Sequence, residues 1–506
     1  MVAGVEYLLP QGLDVGSVDA LLSERLELEC ERVRTGRRTF YDTFDGRLYA
    51  KGLVLVHEEM RLVLRDDERE QAGLAYPDKA PSRLAVSDLP DGPLRAALAP
   101  ICGVRALQAT ASLRGQRRLL RVLDGERKTI VRLIAEKATL ARNGSGNGAH
   151  ALRPRLHVEP VRGYAKALRR VRGTLEDDLG LVAATEPLRD EAVWRAGGSP
   201  GGVSSKVAAA FAPDLRADRA AAALAERLVS VIEANLPGAL AEIDTEFLHD
   251  VRVAVRRTRS LQRELKRVFP PAPLAHFRTE FRWLQQVTGP TRDLDVYLAD
   301  LDGAPELDPL RAVLIERRIH ERAAMERALR SARTHRLLEH WSAFVQRIAD
   351  APRAGRDDAL RPISAVAAQR IARVYIVLTR MGGAIDGASA PAALHDLRKK
   401  GKELRYLLEF FAPLFPPPVV EPMVTSLKAL QDTLGRFQDR EVQAALLREL
   451  SDEVATREGG GAALMAMGVL AQRLDADRAQ ARSEFAGRFG AFAAPRQRAL
   501  VRETFG

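Results

Sequence analysis

The sequence predicts a multidomain protein, an N-terminal α+β domain followed by an all-α domain of two related helix bundles. Three observations carry this. A Gly/Ser-rich stretch, RAGGSPGGVSS at 195–205, divides the chain. Before it, short Val/Leu-rich runs alternate with turns; after it, Ala/Leu/Arg/Glu segments of helical length follow one another, broken only by Pro and Gly. The second part also contains itself twice, at an offset of 146 residues.

In residues 1–194, 53–56 and 61–64 flank a polar turn, and 117–124 and 128–134 flank Gly125; both pairs read as hairpins. NGSGNG at 143–148 reads as an exposed hairpin tip. Segment 161–180 reads as a helix ending at Gly180. Residues 195–212 form a linker by composition, and 213–500 hold the duplication, with repeat one at 213–350 and repeat two at 357–495. Pro and Gly breaks near residues 237, 270, 289, 303, 362, 382, 391, 416, 435 and 459 are expected to separate helices.

The copies begin at His249 (HDVRVAVRRTRS) and His395 (HDLRKKGKELRY). Basic residues follow at the same steps: Arg252, Arg256 and Arg259, then Arg398, Lys402 and Arg405. In the first copy the stripe continues through Arg263 and Lys266. Leu248, Val251, Val255 and Leu265 form an apolar stripe beside it, as do Leu394, Leu397, Leu404, Leu408 and Phe411 in the second. Steps of three and four share a helix face, so each helix pairs a core stripe with a cationic seam.

Like charges at this spacing repel by roughly 0.2–0.5 kcal/mol per pair. A solvated helix face tolerates that, and an isolated seam reads more readily as surface. The duplication favours an anion site, because both copies hold these four steps while Arg257 becomes Glu403 and Arg263 becomes Glu409. Arg282 aligns with Lys428, Gln285 with Gln431, and Arg227 with Arg373, adding further candidate walls; Lys399 adjoins the second seam. Asp293 and Asp439, each four residues after a repeated glycine, read as helix caps or as ion-pair partners of the seam. The two histidines lack a second ligand at metal spacing, so they read as hydrogen-bond donors or buried structural groups. No catalytic residue, metal site or cofactor is expected.

The charge of +11 in 506 residues favours polyanionic partners. Aromatics at 5% argue against base stacking on single strands, while non-specific contact with nucleic-acid phosphates remains an alternative. Cys30 and Cys102 fall in no motif and read as reduced thiols of a cytoplasmic protein. Neither an export signal nor a run of about 18 apolar residues is seen, so no membrane association is expected.

LHDVRVAVRRTRS, LHDLRKKGKELRY, GPTRD and GRFQD together make 213–500 resemble a CHAD domain, the conserved-histidine α-helical domain. The resemblance implies two four-helix bundles around a basic cleft, binding of inorganic polyphosphate, and association with polyphosphate granules and their proteins. Residues 1–194 resemble, more weakly, the CYTH or triphosphate-tunnel domain, an antiparallel β barrel, through FYDTFDGRLYAKGLVL (40–55) and VEPVRGYAKAL (158–168). Its Glu-x-Glu-x-Lys signature is depleted: Glu6 remains, but Leu8 and Pro10 stand where the second Glu and the Lys belong. The basic residues expected after Leu53 are also missing. The resemblance therefore implies a degenerate tunnel, with Glu136 and Glu159 as remaining carboxylates and Arg114, Lys128 and Arg132 as residual anion contacts. A metal-dependent triphosphatase is the alternative function.

Overall fold

The computed structural model describes residues 5–66, 69–77, 79, 81–141, 150–205, 207, 211–301 and 303–506. The chain divides into two compact units at Ser204/Ser205. The expected hairpin tip at 143–148 lies outside the described residues.

The first unit is one antiparallel sheet. Its strands are β1 (Val5–Leu8), β2 (Leu28–Cys30), β3 (Arg34–Thr43), β4 (Leu53–Glu58), β5 (Arg61–Asp66), β6 (Arg69–Ala75), β7 (Arg83–Leu84), β8 (Leu107–Leu123), β9 (Thr129–Leu140), β10 (Arg155–Pro160) and β11 (Val182–Ala183). The order is β11-β1-β10-β9-β8-β3-β4-β5-β6, with β2 and β7 paired to β8. Both expected hairpins are present, as β4–β5 and β8–β9. Among the described residues no ladder joins β6 to β11, so hydrogen bonds do not close the sheet into a ring. Pro10 lies in the turn beyond β1 rather than within a strand, so it removes no ladder donor.

Helices cover the sheet. They are α1 (Val18–Leu22), α2 (Pro93–Cys102), α3 (Ala165–Gly173) and α4 (Leu188–Arg195). Leu168 and Val171 of α3 join one buried cluster, Leu94, Leu98 and Cys102 of α2 a second, and Leu188, Ala192 and Val193 of α4 a third. After α3 a wider helical turn runs to Asp178, and the chain leaves through Gly180 at φ +63°, as the sequence predicts. The glycine-rich segment is anchored on its N-terminal side. A Cβ at Gly46 would come within 2.0 Å of the Gly201 carbonyl oxygen and one at Gly202 within 2.4 Å of the Phe44 carbonyl oxygen, so Gly46 and Gly202 exclude side chains.

The second unit is helical. Repeat one holds α5 (Ala217–Leu240), α6 (Thr245–Glu264), α7 (Pro271–Val287), α8 (Gly289–Asp300), α9 (Asp308–Leu329) and α10 (Ala332–Gln346). Repeat two holds α11 (Ile363–Gly383), α12 (Pro391–Phe411), α13 (Pro417–Ala455), α14 (Gly460–Phe492) and α15 (Pro495–Phe505). The contacts repeat with the sequence: α5 packs on α6 and α11 on α12, while α10 closes on α5 and α15 on α11.

Two expected breaks are corrected, and the first is Pro237, which lies inside α5. Gly435 breaks nothing, because α13 runs through it, whereas Gly289 opens α8 one residue after α7 ends. The difference is Pro290, which has no N–H for the helix ladder; its counterpart is Arg436. Asp293 and Asp439 therefore lie inside helices and are not N-caps. The cap of α6 is Asp244, which accepts from the Glu246 N–H at 3.0 Å. Lys266 lies beyond the end of α6, so the seam ends at Arg263.

The repeats meet where α6 packs on α12. Arg257 binds Glu409 at 2.8 Å, and Arg263 lies 3.6 Å from Glu403. Arg370 of α11 reaches buried Glu264 of α6 at 2.6 Å. A second contact joins Leu310, Val313 and Leu314 to Leu447, Leu450 and Val454. Arg257→Glu would set two carboxylates together at a half-buried site. It is expected to destabilise the unit by on the order of 2–4 kcal/mol, and adding Glu409→Arg should recover part of the loss in denaturant unfolding midpoints.

Candidate functional site

α6 carries His249, Arg252, Arg256, Arg259 and Arg263 beside its buried stripe, and α12 carries His395, Arg398, Lys402 and Arg405. The repeated Gly-x-x-x-Asp elements serve these arginines. A Cβ at Gly289 would come 3.3 Å from the Arg252 guanidinium, and one at Gly435 would lie 4.0 Å from Arg398. Four residues on, Asp293 lies 3.8 Å from Arg252 and Asp439 3.2 Å from Arg398. Only Gly289 is crowded by its arginine, but in both repeats the aspartate supplies a counter-charge, which decides between the two readings of those aspartates.

Arg252 is 8% exposed. It donates to the Gln285 carbonyl at 3.3 Å and lies 3.4 Å from the Thr288 hydroxyl. Burial, with Arg256 and Arg292 nearby, holds its guanidinium below the ordinary range despite Asp293. Burial also raises the Asp293 carboxyl; Arg252, Arg256 and Arg292 oppose the shift and Asp439 of the other repeat adds to it. The aspartates and seams of both repeats thus converge.

Lys402 stands at the centre. Among the described residues it has no carboxylate within ion-pair distance. Burial lowers its amine to about 8, with Arg398, with Arg256 of the other repeat and with Arg405, against partial compensation from Asp439. Arg256 likewise has no carboxylate partner among the described residues, and its Nε is buried without an acceptor.

The remaining predicted residues divide. His395 Nδ1 lies 2.6 Å from the Gln438 side-chain oxygen. His249 occupies the equivalent place on α6. Arg259 donates to Gln285 of α7, and Arg282 is exposed on the same helix. Lys428 is exposed on α13, on neither of the two facing helices, so it stands outside the seam. Arg405 is engaged by Glu409 at 2.7 Å, Arg263 by Glu264 at 2.8 Å, and Lys399 by Asp396 at 3.2 Å, so these three are already paired. Arg227 and Arg373 are exposed on α5 and α11, not on the two facing helices. Two cations near the seam escape the sequence reading. Arg292 and Arg278 align with Gln438 and Val424, so a search for repeated charges passes over both.

In the first unit, Glu6 and Glu136 are committed internally. His157 bridges them at 3.3 Å each, Arg155 binds Glu6 at 2.6 Å, and Arg38 binds Glu136. Burial opposes charge on His157, but Glu136 and Glu6 override it and raise the imidazole to about 9. Burial likewise opposes Glu136, yet Arg38 and His157 hold it near 2. A divalent metal needs such carboxylates as ligands, so this donor set does not fit one. Among the described residues no group of three His, Cys, Asp or Glu is placed to hold a metal ion. Arg132 lines the adjoining cavity of about 730 Å³, together with Glu159 and Arg117. Arg114 is exposed between cavity-lining Leu113 and Gly115, on the opposite face, and Lys128 pairs with Glu126 at 2.5 Å.

The family model described as the CHAD domain matches residues 222–448, from α5 into α13, spanning both seams. Residues 222–448 form a CHAD domain. Two proteins from strains of Mycobacterium tuberculosis, each described as an uncharacterized protein, are 31% identical over 208 residues, which is 38% of this chain and 38% of each relative. The crystal structure of the CHAD domain from the plant Ricinus communis is 25% identical with a TM-score of 0.45, covering 59% of this chain and 95% of its own. PptA from Streptomyces chartreusis is 15% identical with a TM-score of 0.41, covering 54% and 99%. No described helix is long and apolar enough to cross a membrane.

Lys402 makes a stability prediction for the CHAD domain. Its folded-state pKa is about 8 against an ordinary 10.5, so the unfolded chain binds more protons between these values. Stability contributed by this group therefore rises with pH across that window, and its charge destabilises the fold below it. Lys402→Met is expected to stabilise the protein at neutral pH by on the order of 1–3 kcal/mol, measured by denaturant unfolding, and to flatten the alkaline rise.

Proposed function

We propose that the CHAD domain binds inorganic polyphosphate, without catalysis, in the cationic cleft where α6 faces α12, and that this binding takes the protein to polyphosphate granules and their proteins in the cytoplasm. The observation that carries the reading is the partly buried Lys402, without a carboxylate partner among the described residues, beside Arg256 of the other repeat. A fold places cations there at a cost to its own stability, and a polyanion removes that cost. Arginine forks match phosphate oxygens, and lysine adds a point charge. The CHAD resemblance supports the same ligand.

Non-specific nucleic-acid binding is the second reading, since the same charges attract any phosphate chain. The seam offers guanidinium, amine and imidazole groups, without a row of rings on which bases would stack. In competition at a stated salt concentration, long polyphosphate should displace DNA, and its affinity should fall steeply with salt. Arg252→Ala with Arg256→Ala should weaken binding about as much as Arg398→Ala with Lys402→Ala, each by on the order of tenfold to a hundredfold. Preferential DNA binding, or silence of either pair, would count against the reading.

The first unit is non-catalytic under this proposal, because Glu6 and Glu136 hold His157, Arg155 and Arg38 rather than a metal. The full chain with magnesium or manganese should not hydrolyse tripolyphosphate or nucleoside triphosphates. Turnover abolished by Glu6→Gln would make the protein a triphosphatase with a docking module.

A further inference from the structure

The two repeats share a backbone plan but not an outer surface. Positions 257, 259, 263, 278, 282 and 286 of repeat one carry five arginines and a glutamine. Their counterparts 403, 405, 409, 424, 428 and 432 carry Glu, Arg, Glu, Val, Lys and Asp, so the formal charges are +5 and −1. The cross-repeat pairs Arg257–Glu409 and Arg263–Glu403 offset charge across the contact, with Glu409 shared by Arg405 and Glu403 by Lys400. Repeat one then keeps Arg259, Arg278 and Arg282, while Arg405 and Lys428 of repeat two stand against Asp432.

Geometry links the three arginines of repeat one. Arg278, Arg282 and Gln285 fall at steps of four and three on α7, hence on one face, and Gln285 accepts a hydrogen bond from Arg259. Arg278 and Arg282 are exposed and have no carboxylate partner among the described residues. Burial, and then Arg282, Arg263 and Arg278, hold the Arg259 guanidinium below its ordinary range. Its counterpart Arg405 shifts the other way: burial opposes, but Glu409 overrides it, with a contribution from Asp432. Arg405 already has its anions, and Arg259 has none within ion-pair distance among the described residues.

We propose that a long polyphosphate chain leaving the central Arg256–Lys402 cluster runs over repeat one, along Arg259, Arg282 and Arg278, and not over repeat two. This rests on the polyphosphate reading and adds a direction and a length dependence to it. A short phosphate chain occupies the centre alone. A longer one gains the arginines of α7 and releases further counterions there.

The test compares long polyphosphate with tripolyphosphate by fluorescence anisotropy on the full chain at several salt concentrations. Arg278→Ala with Arg282→Ala changes only exposed side chains, so folding is expected to be unaffected. For the long chain this variant should lose about tenfold in affinity, and its log–log salt slope should become shallower by about 1.4, two single-strand phosphate contacts' worth. Tripolyphosphate affinity should not change, and Lys428→Ala should stay within about twofold of the parent for both ligands. An equal loss from Lys428→Ala, a silent double variant, or an equal loss for tripolyphosphate would each overturn the track. A parent protein that binds neither ligand would instead overturn the polyphosphate reading, and the track with it.

Discussion

Arg257 with Glu409 and Arg263 with Glu403 hold together two helices whose other seam charges are mainly positive. Their logic is that of a two-fold contact, in which residue i meets j of the partner and j meets i. Position 257 aligns with 403 and 263 with 409, so each pair joins one position to the counterpart of the other. Had both copies kept arginine there, like charges would face each other twice. Changing both positions to glutamate in one copy turns two repulsions into two attractions. The remaining cations, Arg256 and Lys402 above all, can then lie close without driving the helices apart.

Under the proposed function, the seam is arranged for an anion at the expense of the unliganded fold. Arg252 is desolvated with only a 3.8 Å approach to Asp293, the Arg256 Nε lacks an acceptor, and Lys402 titrates near 8. Each feature disfavours the empty state. The supports are local: Gly289 beside Arg252, an aspartate facing each inner arginine, and Gln285 and Gln438 orienting Arg259 and His395. Such positioning lowers the ordering cost when a ligand arrives. The duplication supplies the two walls, and divergence between the copies makes their outer surfaces unlike.

The first unit shows the opposite arrangement of charge. Its interior carboxylates are answered within the sheet by arginines and by a histidine held protonated between two glutamates. Glu58 continues the pattern, bound by Arg65 and 3.4 Å from Arg117. Alternation along each strand directs these side chains to one face, so a network forms from strands far apart in sequence. Neutralised from within, its carboxylates offer a metal little.

Much of this was legible in the chain. The period of the apolar stripes determined the helices, the 146-residue offset determined the repeat, and the retained basic steps determined the seam, because each depends on residues a few positions apart. The antiparallel sheet was legible in the same way from its hairpins. Tertiary structure decided the rest. That Asp293 and Asp439 are counter-ions rather than caps needed the approach of a separate helix. The glutamates at 403 and 409 looked in sequence like a loss of the basic pattern; in space they pair with the arginines of the other copy. Charge pairing acts through distance, and the distance between α6 and α12 exists only once both repeats are folded against each other.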